Sequence, residues 1–103
     1  MGAQHYIDIV AALIRIGTVN RIFGEQGHAD AEAMGLAQWD LAAGLTSKLI
    51  NDGDWSETEF KALVSGEMDK VVLHFNGQTE GSYSPTEFQA DEQFALMALE
   101  AIN

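Results

Sequence analysis

A chain of 103 residues has room for one hydrophobic core, since single domains typically run to about 100–150 residues. Its hydrophobic fraction of 47% and mean hydropathy of -0.05 are those of a folded soluble protein and exclude disorder. Sixteen Asp and Glu against five Lys and Arg leave a net charge of -11, which repels phosphate backbones and anionic lipid and so excludes direct nucleic-acid and membrane-surface binding.

Zero cysteines exclude a disulfide scaffold and thiolate zinc sites. The apolar stretch Ile7–Ile16 is interrupted by Asp8 and Arg15 and falls far short of the ~20 residues that span a bilayer. No targeting segment is read, and the cytoplasm is the expected compartment.

The first periodic segment is Gln4–Ile16. At about 100° per residue, Tyr6, Ile7, Ile9, Val10, Leu13, Ile14 and Ile16 share one half of a helical wheel. After Gly17 the phase fails, because Val19, Ile22 and Phe23 land on the face that was polar. A kink or restart at Gly17-Thr18 is expected, with Thr18 capping the new turn. The β-branched residues of Tyr6–Ile16 leave a strand as the alternative.

Gly24–Gly27 reads as a loop. A second helix is expected from Ala29 to Ile50, stopping at Asn51-Asp52-Gly53. It carries two apolar groups, Met34, Leu41, Ala42, Leu45 and Leu49 on one side and Leu36, Trp39, Ala43 and Ile50 nearly opposite. Such a helix is buried on several sides.

The third helix has an explicit start in Trp55–Phe60. Ser56 is a good N-cap, Glu59 the partner of a capping box, and Trp55 and Phe60 take the positions of a hydrophobic staple. Tyr83–Phe88 repeats the grammar, with Ser84 as cap, Pro85 at the first helical position, Glu87 closing the box, and Tyr83 facing Phe88.

Gly66 is expected to end the third helix, and Lys70–Phe75 to form a strand. Asn76-Gly77 is a strong hairpin signal that makes Gln78–Tyr83 the return strand. A last helix, Pro85–Ile102, again shows two apolar stripes. The expected fold is α+β and mostly α, a single domain over residues 1–103. It comprises about four helices, the first kinked, with one β-hairpin before the last.

Motifs that carry chemistry are sparse. Asp52–Phe60 matches the back half of a calcium loop, but the same register puts Lys48 and Ile50 where oxygen ligands are required. Gly24–Gly27 lacks the basic neighbours of a phosphate clamp. The five bases, Arg15, Arg21, Lys48, Lys61 and Lys70, are scattered singly, unlike a DNA-reading helix. His28 and Glu32 supply two ligands where a catalytic zinc needs three. No cofactor, metal or catalytic residue is assigned.

Charge is the sharpest feature. Residues 1–50 hold five acids and three bases, whereas residues 51–103 hold eleven acids and two bases. Glu59 and Glu87 serve caps, while Glu67, Asp69, Glu80, Asp91 and Glu92 have no local role. These five, with Phe75 and Tyr83 as apolar anchors, are the expected partner-binding residues.

In size, acidity and lack of cysteine the chain resembles phage-encoded inhibitors of host defence, such as anti-CRISPR proteins, and bacterial immunity proteins. That resemblance implies a non-enzymatic module that inhibits or regulates a basic, nucleic-acid-binding protein. The alternative is a helical oligomerisation or scaffold subunit, and a small enzyme ranks third. The second apolar stripes further predict a homodimer.

Overall fold

Four α-helices make up the computed structural model, which describes residues 2–102, with the backbone alone for Leu99, Ala101 and Ile102. They are α1 (Ala3–Glu25), α2 (Ala29–Asn51), α3 (Glu57–Phe75) and α4 (Pro85–Ile102). No strand occurs among the described residues. The fold is all-α, and the hairpin expected between the third and last helices does not form.

The correction has a local cause at Asn76-Gly77. Gly77 takes φ +78°, which suits a tight hairpin turn and equally a helix C-terminus. Here the Gly77 N–H donates to the His74 carbonyl and the Gln78 N–H to the Leu73 carbonyl, both at 3.0 Å. The dipeptide therefore stops α3. Gly27 and Gly53, at φ +101° and +79°, stop α1 and α2 with the same pair of hydrogen bonds.

Helix also buries the segment better than strand. Phe60, Val64, Glu67 and Val71 recur on one helical face, and Val71 is wholly buried. An isolated two-stranded hairpin with a polar return strand has no comparable core contact and is marginal on its own. So α3 runs on through Gly66 instead of ending there.

The first helix does not restart either. It is continuous from Ala3 to Glu25, and Gly17 serves a close approach: a Cβ there would lie 2.8 Å from Trp39 Cδ1. Gly35 likewise brings α2 against Arg21 and the Gly17 carbonyl. The phase shift after Gly17 arises because α2, α3 and α4 all pack on α1. Residues 10–14 and 16–19 are buried, and a helix enclosed on three sides needs no single apolar face.

Both serine N-caps are present. Ser56 Oγ accepts from the Glu59 N–H and Ser84 Oγ from the Glu87 N–H, each at 3.1 Å. The staples close as edge-to-face pairs, Trp55 on Phe60 at 5.6 Å and Tyr83 on Phe88 at 6.0 Å. Val10, Leu13, Ile14, Ile16, Ala42 and Leu49 form the main core with Trp55 and Ala95. Val19, Val71 and Tyr83 form a second cluster near the 76–84 loop. No helix among the described residues is long and apolar enough to cross a membrane.

Candidate functional site

Arg15 is the one charged residue in the buried stretch of α1, and a buried cation must be paired. Its Nε donates to Asp91 Oδ2 at 2.8 Å and its Nη1 to Glu67 Oε2 at 2.9 Å. The Tyr83 hydroxyl donates to the same Asp91 oxygen at 2.5 Å, and the guanidinium lies 5.9 Å from the Tyr83 ring centre. One cation thus ties α1 to α3, to α4 and to the loop between them.

Burial alone would lower the Arg15 pKa, but the hydrogen bonds and charges of Asp91 and Glu67 outweigh it and hold the group above its ordinary value. Burial pushes the Tyr83 phenol up, and the hydrogen bond and charge of Asp91 add to that shift. The guanidinium therefore stays charged and the phenol stays protonated, each a donor held in place within the network.

Beside it lies an apolar pocket of about 280 Å³. Val19 and Phe23 of α1, His74 and Phe75 of α3, and Tyr83, Pro85 and Phe88 around the start of α4 line it. Phe23 meets Phe75 edge to face at 5.8 Å, and His74 meets Phe75 at 5.5 Å. The loop is held against α3 by the Tyr83 N–H on the Lys70 carbonyl at 3.1 Å and by Lys70 Nζ on Glu87 Oε2 at 3.1 Å. The recess is apolar, and Phe75 on its lining is 37% exposed.

The expected partner-binding residues separate into two groups. Glu67 and Asp91 turn inward onto Arg15, their side chains 20% and 10% exposed. Tyr83 is buried at 1% exposure and forms the pocket's inner wall. Asp69 on α3, Glu80 in the loop and Glu92 on α4 are exposed. Phe75 and Tyr83 do share one pocket.

The role of Arg15 escaped the sequence reading, although a lone base within Ile7–Ile16 was itself the signal. His5, His28 and His74 are exposed, and no group of three or more His, Asp or Glu close enough to hold a metal occurs among the described residues. No family model, curated protein or solved structure matches the chain.

Proposed function

We propose that the chain is a small acidic protein-binding module that inhibits or regulates a basic partner, one whose own work is to hold nucleic acid. The observation that carries this reading is where the charge lies. Every Asp and Glu except Glu67, Glu87 and Asp91 is exposed. Meanwhile Arg15, Lys61 and Lys70 are each paired with acids of the same chain. The outward face is therefore more uniformly anionic than the composition alone conveys.

Such a surface steers a cationic partner into encounter, while an apolar contact sets the residence time. Phe75 and the pocket behind it supply that contact. Of the five acids expected to bind the partner, Asp69, Glu80 and Glu92 are the ones free to act on it.

The test is retention of cationic nucleic-acid-binding proteins on the immobilised chain, followed by kinetics with the retained protein. The variant Asp69→Lys/Glu80→Lys/Glu92→Lys lowers the association rate, and the parent's rate falls steeply between low and physiological salt. A rate flat in salt and equal in the variant would reduce the charge to solubilisation.

A further inference from the structure

The helices α2 and α3 both pack on α1 but make no substantial contact with each other. Between them runs a groove of about 220 Å³ that includes Ile22 of α1, Trp39 of α2, and Met68 and Val72 of α3. Its lining is mostly apolar and it is open. Met68, Val72 and Phe75 follow one another at i, i+4 and i+7 along α3, 37%, 47% and 37% exposed. On the facing helix Leu36, one turn before Trp39, is 53% exposed.

A stripe at helical spacing on one wall, a flat indole on the other and a helical floor between them are the geometry of a helix-in-groove site. A helix laid there would complete the ring of helices around α1. Met68 adds an adaptable contact.

Charge decides the occupant. Glu25 lines the groove, Asp40 follows Trp39, and Asp69 follows Met68, all three exposed. The one base in the groove, Arg21, is also exposed, with its guanidinium 5.7 Å from the Trp39 ring centre, and the three acids outnumber it. A second copy of this chain would bring its own -11 against that rim, whereas a helix flanked by Lys and Arg meets complementary charge.

We infer that the α2–α3 groove receives a cationic amphipathic helix, its apolar residues on Trp39, Met68 and Val72 and its Lys or Arg residues towards Glu25, Asp40 and Asp69. This rests on the acidic-module reading above and specifies which element of the partner is held.

The probe is a helical Lys/Leu peptide of about 18 residues with one apolar face, compared with a scrambled peptide of equal charge and an amphipathic peptide with Glu in place of Lys. Amide chemical-shift mapping on the intact chain is expected to place the amphipathic Lys peptide at Leu36, Trp39, Met68 and Val72. Leu36→Ser and Val72→Ser, both exposed positions compatible with folding, each weaken it by about tenfold, and circular dichroism confirms the fold of each variant. Equal binding of the scrambled peptide, or binding indifferent to both variants, overturns the groove and leaves the acidic-module reading standing. If neither Lys peptide binds, the groove proposal falls, and the cationic-protein retention experiment separately decides the broader reading. Self-association abolished by Val72→Ser would assign the groove to a second copy and overturn the inference.

Discussion

The Tyr83 hydroxyl donates to Asp91 Oδ2 at 2.5 Å, sharing that oxygen with Arg15 Nε. The bond joins a loop residue to α4 inside the core. Tyr83→Phe keeps the ring against Phe88 but removes a hydrogen bond to a charged group. It is expected to cost about 1.5–3 kcal/mol in urea unfolding. Because the folded state raises the phenol's pKa, this contribution is complete below the unfolded value of about 10 and is lost as pH rises above it. The gap between parent and variant should narrow in alkali, and a gap constant with pH would detach Tyr83 from the network.

Arg15→Met leaves the carboxylates of Glu67 and Asp91 without their cation in a place where their side chains are only 20% and 10% exposed. Breaking a buried pair from one side costs about 3–5 kcal/mol. Neutralising the acids as well, in Arg15→Met/Glu67→Gln/Asp91→Asn, should recover most of the loss. Thermal unfolding of the two variants decides it, and a triple variant no better than the single would count against charge desolvation as the cause.

Two glycines inside helices should respond in opposite directions to alanine. At Gly17 a Cβ would sit 2.8 Å from Trp39 Cδ1, and such overpacking costs about 1–3 kcal/mol. At Gly66 nothing lies within 4 Å, so Gly66→Ala should stabilise α3 by about 0.5–1 kcal/mol. Denaturant midpoints shifted the same way in both variants would contradict this helix packing.

Glu87 links stability to acid pH. Burial raises its pKa, but the hydrogen bonds to Lys70 and Ser84 and the Lys70 charge prevail, and the folded value lies below the usual one. The folded state then binds fewer protons, so the stabilisation is present above about pH 4.3 and disappears as pH falls through the folded pKa. Glu87→Gln should lower the urea midpoint near neutrality and match the parent in acid. A midpoint difference that persists in acid would remove Glu87 from the linkage.

What the sequence disclosed were features read from a few adjacent residues. The Ser56 and Ser84 caps, the Trp55–Phe60 and Tyr83–Phe88 staples and the α4 limits Pro85–Ile102 all follow from local chemistry. Asn76-Gly77 was ambiguous at that range, because a left-handed glycine closes a hairpin and a helix alike. The purpose of Gly17 depends on Trp39, and that of Arg15 on residues 52 and 76 positions away. No periodicity carries such pairings. The acids Glu67 and Asp91 looked free for the same reason.

The same separations bear on the order in which the chain assembles. The α1–α2 pair is joined by the short Gln26–His28 link and seated through Gly17, Gly24 and Gly35, so its contacts close cheaply in chain entropy. The Arg15 bonds span most of the chain and form only once α3 and α4 arrive. Substitutions at the Gly17–Trp39 seat should therefore slow refolding. Loss of Arg15 should chiefly speed unfolding, making the ion network the fastening that sets how long the native state lasts.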